Sequence, residues 1–499
     1  MARKKKSEAE KIKGALRVRP TRMEMAAGNE DVFFETVRRQ VARKRRRIKK
    51  KAGGNSPNPA LRVAARRFAN DQAKKLRRKF MDRPSLIFPM EEALTKRVAS
   101  RILDQLDPQR PSKWKPIIAR KFRRDPKRIQ IGSLNFLDHP IETIEEFQKL
   151  SRAERSEVRA YLDFADTHCF DVGAYLVLGE IWPQLSKVFL GGRMSRPVQK
   201  VLSAIRMDEE LGIGLGGVRN HEDVWAFPVR RRRPYGTTSS ETANLQPQDR
   251  EKVADLLCEL IDGWLEVANN EEKQENHPDW ELSPEGKSLL ARMSGELLDN
   301  AERHSVPGSK DGDWSMTAFM AARDDEESGR QLNCYLAFLN TGQSIAEAMK
   351  QAPKELLEAA EKYLSQFGRR GPSRDTLLTV IALQDAVTSD LSASEGRRGG
   401  TGLQDVLEFI SELGAAYQPK ANAKMTIISG SSCIRLKQPN LVGARDTRGK
   451  RVQWCNACND PSSPPDPAMA FDLPKHFAGT LVSVGFTLDP RLFVAEVEQ

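Results

Sequence analysis

At 499 residues the chain is long enough for two or three domains with cores of their own and too long for one compact domain. Its 81 lysines and arginines outnumber its 68 aspartates and glutamates, a net charge of +13 concentrated in the first part of the sequence. Six scattered cysteines, no apolar run near the ~20 residues that span a bilayer, and an opening "MARKKKSEAEKIKG" with no apolar segment exclude disulfide-scaffold, membrane-spanning and signal-bearing classes; a cytoplasmic protein is expected.

Residues 1–110 read as a basic arm with helices, partly disordered. Within it "RKRRRIKKK" (43–51) precedes the breaker-rich "AGGNSPNP", and self-repulsion predicts a solvated, extended run. "ALRVAARRFANDQAKKLRRKFM" (60–81) has the spacing of a basic amphipathic helix, and "PMEEALTKRVASRILDQL" (89–106) that of a more balanced one. Two readings fit: a solubilising tail with a helical hairpin, or a surface over residues 1–80 that meets nucleic-acid phosphates or an acidic protein. The scarcity of aromatics argues against base stacking.

Residues 111–229 predict a small α/β domain. "RIQIGSLNFL", "VRAYLDFAD" and "KVFLGG" are strand-like, an apolar helix follows the second, and residues 196–213 form a helix ending at a glycine. The polar segment "RRRRPYGTTSSETANLQPQDR" predicts a linker over 230–248. From 249 to 499 the order is two helices, two strands, helices within 344–395, a glycine-rich turn, a helix over about 402–413 and a closing set of strands. The predicted class is α+β, here a mixed sheet with helices on one face. No internal repeat is evident.

In "GELLDNAERHS" (295–305), Glu296, Asn300 and His304 fall at i, i+4 and i+8 on one helical face, while Leu297, Leu298 and Ala301 supply the packed side. A carboxylate and a carboxamide facing a cleft need partners. Mg²⁺ carrying nucleotide phosphates is one, with Asn300 giving a neutral oxygen and Glu296 orienting a water. A solvated helix face is the other reading. Further on, "EGRRGGTGLQDVLEFI" (395–410) sets a glycine cluster before an amphipathic helix, an arrangement able to cradle phosphate or to serve as a flexible capped loop.

The succession "ELLDNAERH", "AFLNTGQSI", "GGTGL" and paired strands resembles the Bergerat-type (GHKL) ATPase domain shared by DNA gyrase B, MutL, sensor histidine kinases and anti-sigma-factor kinases, over about 250 residues. The resemblance implies ATP and Mg²⁺ as ligands, with Asn300 on the metal and Glu296 activating water. It also implies nucleotide contacts from Asn340 and Gly342, and phosphate contacts from Gly399, Gly400, Thr401, Gly402 and Leu403. Where that family has an aspartate that accepts from the adenine amino group, this chain has Asn340, an acceptor without charge. The segment 346–398 would form a lid.

The preceding domain resembles the STAS fold of anti-anti-sigma factors. The turn that carries a phosphorylatable serine in regulatory members reads Cys169, Phe170, Asp171, Val172, Gly173 here, which leaves a docking role for a protein partner. No histidine stands in a phosphoacceptor setting, and Cys455-x-x-Cys458 has no second pair at zinc spacing. Three functions follow: a nucleotide-driven regulatory switch, a non-catalytic adaptor retaining the ATPase architecture, and a protein serine kinase of the anti-sigma type. Homodimers are common in the families resembled, although no heptad seam is present.

Overall fold

The computed structural model describes residues 30–82, 97, 99–112, 127–156, 160–207, 218, 221–232, 250–271, 284–304, 312–325, 329–368, 371–385, 387, 402–413, 423–441, 443–447 and 449–488. Helices α1 (Glu30–Lys51) and α2 (Pro59–Asp82) pack together as a hairpin that buries Val37, Ala65, Ala69 and Ala73. The run 43–51, expected to be extended, is helical. Arginine and lysine are good helix formers, and Lys49, Lys50 and Lys51 occupy the last turn, where cations meet the negative end of the helix dipole. Of the helix expected over 89–106, only Arg101–Leu106 (α3) is helical among the described residues; Arg97, Ala99 and Ser100 are not, Ser100 being the extended N-cap, and residues 89–96 and 98 lie outside the described residues.

The next unit alternates strand and helix: β1 (Lys127–Ile131), α4 (Pro140–Arg155), β2 (Ala160–Phe164), α5 (Val172–Leu185), β3 (Phe189–Arg193) and α6 (Arg196–Ala204). Its three strands are parallel in the order β1-β2-β3, with Ile129 beside Leu162. The helix expected over 196–213 is broken after Ala204, where Arg206 turns left-handed (φ 57°); Met207 is helical again, and residues 208–213 lie outside the described residues. Helix α5 is buried along almost its whole length, a composition that requires apolar surroundings on every side.

A second, five-stranded sheet supplies them. Its strands are β4 (Val224–Arg232), β5 (Trp314–Asp325), β6 (Gly329–Asn340), β7 (Lys424–Lys437) and, after the short hairpin β8 (Ala444–Arg445) and β9 (Arg451–Val452), β10 (Ala470–Leu488). The order is β4-β5-β6-β10-β7 and every pair is antiparallel. A mixed sheet was the expectation. The connection from β5 to β6 is too short for the crossover a parallel pair needs, and β10 enters between β6 and β7 running against both. Strand β4 crosses the domain boundary expected at 230 and lies at the sheet's edge, from Val224 beside Ala321 to Arg232 beside Trp314.

Both faces of this sheet are covered, where helices on one face were expected. On the front, α7 (Arg250–Glu271), α8 (Pro284–His304) and α12 (Gly402–Leu413) pack on Leu336, Phe338, Ile427, Val482 and Val484. On the back, Ala337, Leu339, Ile428 and Leu481 join one core with Phe136, Phe147 and Tyr175 of the parallel unit. The two-residue period of the strands makes this division. It also means that the parallel unit shares its core with the sheet rather than standing apart.

Polar clamps fix that junction. Asp171, fully buried, caps α5 through Gly173 N (2.8 Å), accepts from Phe136 N (2.7 Å) and takes the Ser483 hydroxyl of β10. Asp138 accepts from Lys424 Nζ (2.6 Å) and Lys437 Nζ (2.9 Å). Burial alone would raise its pKa, but these lysines hold the carboxyl well below the usual range. The remaining helices, α9 (Ile345–Met349), α10 (Lys354–Phe367) and α11 (Arg374–Ala382), form a third small core around Leu364, Leu377 and Leu378. No described helix is long and apolar enough to cross a membrane.

Candidate functional site

Helix α8 buries Leu297, Leu298 and Ala301 on the front of the sheet and lies beside α12. Between them, β6, β10 and the α9 region leave a cavity of about 130 Å³, open on one side. Asn300 and His304 from α8, Asn340 and Gln343 from the end of β6, and Leu403 from α12 all line it. Residues as far apart as Asn300 and Leu403, 103 positions, thus converge. Among the described residues nothing hydrogen-bonds the half-buried Asn300 carboxamide or that of Gln343.

Asn340 is held differently. Its Oδ1 accepts from Gly342 N (3.3 Å) and from Thr480 N (3.2 Å), which fixes the amide orientation and uses both lone pairs. The acceptor foreseen from the sequence is therefore engaged, and the amide nitrogen is left to donate. Strand β10 comes this close because residue 479 is glycine: at φ +91° a side chain would run into the Asn340 carbonyl. Asp313 secures the adjoining turn, accepting from Thr341 N (3.2 Å) and Thr341 Oγ1 (2.7 Å). Ser344 and Glu347 close a capping box, and Ile345 N donates to Ser429 Oγ (2.8 Å). The segment 340–345 is rigid by construction.

Gly402 begins α12, and Leu403 brings its first turn to the cavity. Asp405 in that turn is fully buried and ion-paired with Arg292 of α8 (3.1 Å) and Arg451 of β9 (2.7 Å), which locks α12 in place. Gly399, Gly400 and Thr401 lie outside the described residues. Glu296 is half-buried one turn before Asn300 and is not among the described residues that line the cavity; nor is Gly342. Burial, then the charges of Asp299 and Asp405, push the Glu296 carboxyl pKa up, the direction that favours a proton acceptor working near neutral pH.

Four residues of the expected lid segment, Ala348, Met349, Ala382 and Val387, line the cavity. So do Trp314, Thr480 and Val482, which the sequence reading passed over. Gly479, before Thr480, is a local signal for the close approach of β10; nothing local marks Trp314.

The donor set fits a phosphate-borne Mg²⁺, which needs one or two protein oxygens: Asn300 Oδ1 is unengaged and partly buried. No cluster of three His, Cys, Asp or Glu side chains suited to a resident ion occurs among the described residues. The cavity walls are neutral and largely apolar, lined by Leu298, Trp314, Phe338 and Ile345, which suits a base better than a triphosphate.

No protein-family model, curated protein or solved structure matches this chain.

Proposed function

We propose that this is a cytoplasmic regulatory switch that binds ATP with Mg²⁺ in the α8–β6–α12 cavity, in a domain of Bergerat type. One observation carries the reading: an unengaged carboxamide at Asn300, a rigid polar turn at Asn340 and the start of a glycine-preceded helix at Leu403 line one cavity. The base would enter the apolar interior, and the phosphates would lie toward Asn300 and the α12 N-terminus, whose amides and dipole favour anions. Bound Mg²⁺ would supply charge neutralisation for the phosphates. Glu296, with its raised pKa and its place a turn away, is the residue to activate water if hydrolysis occurs.

Thermal shift with ATP and Mg²⁺ tests this. At 100-fold excess over Kd the wild type gains about 2.7 kcal/mol. Asn300→Ala should lose the shift; Glu296→Ala should keep it and lose any turnover. An unshifted wild type would favour the adaptor reading instead.

The partner side of the proposal rests on α1 and α2. Arg43, Arg46, Arg62, Arg66, Lys74 and Arg78 are exposed on the two packed helices. Such a surface serves an acidic partner, nucleic acid above all, with salt-dependent affinity. Reversing Arg43, Arg46, Arg62 and Arg66 to glutamate should abolish binding to duplex DNA or RNA at low salt and flatten the salt dependence; unchanged binding would exclude the hairpin as its source.

A further inference from the structure

A second cleft lies on the opposite side of the five-stranded sheet. It is about 450 Å³, bounded on one side by β4, β5 and β6 and on the other by the parallel unit. The parallel unit contributes the loop after β2, with His168 and Phe170, and the start of α6 after β3, with Arg196 and Lys200. Both segments follow the carboxyl ends of parallel strands, where open α/β sheets offer ligands a crevice.

The cleft has two chemistries. Its wall from the antiparallel sheet is aromatic, with Phe319 and Tyr335 stacked at 5.0 Å between centroids and 25° between planes. Its rim is cationic. Lys200 is paired with Asp223 at 3.9 Å, the one acidic side chain among the described lining residues. Arg196 and Arg323 make no ion pair among the described residues; Arg323 instead lies over Phe170, 5.3 Å from the ring centroid. Burial and the Arg323 charge push the His168 pKa down, so at neutral pH this imidazole offers a neutral hydrogen bond and no charge. Asn333 spends its oxygen on Thr487 Oγ1 (3.3 Å) and has donors left. Two guanidinium groups that meet no carboxylate among the described residues, beside an aromatic wall, define the complement of an anion attached to a flat ring.

We infer that this cleft is a second ligand site, for a small phosphomonoester carried on an aromatic or heteroaromatic ring, with Arg196 and Arg323 meeting the phosphate and Tyr335, backed by the buried Phe319, and Phe170 meeting the ring. The site is independent of the front cavity and of what that cavity binds. Because it is walled by the loop and helix of the parallel unit on one side and by the antiparallel sheet on the other, its ligand touches both at once.

Titration calorimetry of the full chain with phenyl phosphate tests the assignment. The wild type should bind it at least tenfold more tightly than inorganic phosphate, and more tightly than benzoate, whose single charge leaves one guanidinium unmet. Arg323→Glu and Arg196→Glu, both at exposed positions, should each weaken phenyl phosphate at least tenfold without moving the unliganded melting temperature. Asn300→Ala should bind as the wild type does. The proposal is overturned if phenyl phosphate does not bind, if the two reversals leave its affinity unchanged, or if inorganic phosphate or benzoate binds as well.

Discussion

The two faces of the five-stranded sheet are built from the same strands and end in opposite chemistries. On the front, helices pack on an apolar core with the Asp405 ion pairs at its edge, and the cavity left among them carries neutral amides, Asn300, Asn340 and Gln343. On the back, the parallel unit shares an apolar core with the sheet and is clamped to it at Asp138 and Asp171, and the cleft left beside it carries arginine and lysine. A neutral cavity selects by shape and hydrogen-bond polarity, whereas a cationic one selects by charge first. One sheet can therefore serve two ligands without confusing them.

The strongest way to break the contrast is at Asp171. Asp171→Ala leaves the Phe136 and Gly173 amides and the Ser483 hydroxyl without their acceptor and uncaps α5, for a loss of about 3–4 kcal/mol in urea unfolding. A loss below about 1 kcal/mol would mean that the junction does not depend on this clamp. Gly479→Ala should follow at about 2 kcal/mol, from left-handed strain and collision with the Asn340 carbonyl, and should also remove any nucleotide-dependent stabilisation. A variant as stable and as responsive as wild type would sink the account of the pinch at Asn340.

Asn340→Asp sharpens the front face. Either residue can accept from Gly342 and Thr480, so the fold should hold, but the group offered to the cavity changes from donor to acceptor. The affinity ratio of ATP to ITP should move toward ATP by about tenfold, or ~1.4 kcal/mol; a constant ratio would place the base elsewhere. The smallest effect belongs to Glu296. Its carboxyl pKa is raised in the folded state, so its favourable contribution exists below the unfolded pKa and is lost as pH rises through the folded one. Glu296→Gln should therefore be more stable than wild type at neutral pH, by a few tenths of a kcal/mol after solvent screening, with the difference vanishing below about pH 4. Denaturant midpoints across that range decide it.

The elements of the C-terminal half were legible because each carries a local period: 3.6 in residues 284–304, and two along 332–339 and 481–486. Of the cavity residues, Asn300 was legible from its place on one helical face, whereas Asn340 and Leu403 came from the order of motifs that the resemblance rests on. What was hidden is long-range. Nothing local in Val224–Arg232 announces that it pairs with β5 instead of closing the parallel unit, and nothing local in β10 announces that it sits between β6 and β7. Arg196 and Arg323 are 127 positions apart, and only the docking of the two sheets brings them to one cleft. The run 43–51 is helical rather than extended because the helix propensity of arginine and lysine and the dipole at the last turn outweigh the mutual repulsion of its cations.

The place of β10 has a consequence for how the molecule comes into being. The strand that fills the interior of the sheet is the last of the sheet's strands to be synthesised, and the same strand supplies Leu481 and Ser483 to the partners of α5. At ~5–20 residues per second, the parallel unit waits on the order of tens of seconds on the ribosome before β10 completes the cover that β5 and β6 begin over α5. During that interval the nascent chain is a natural client for holdase chaperones, and a pause or truncation before residue 470 would strand it there.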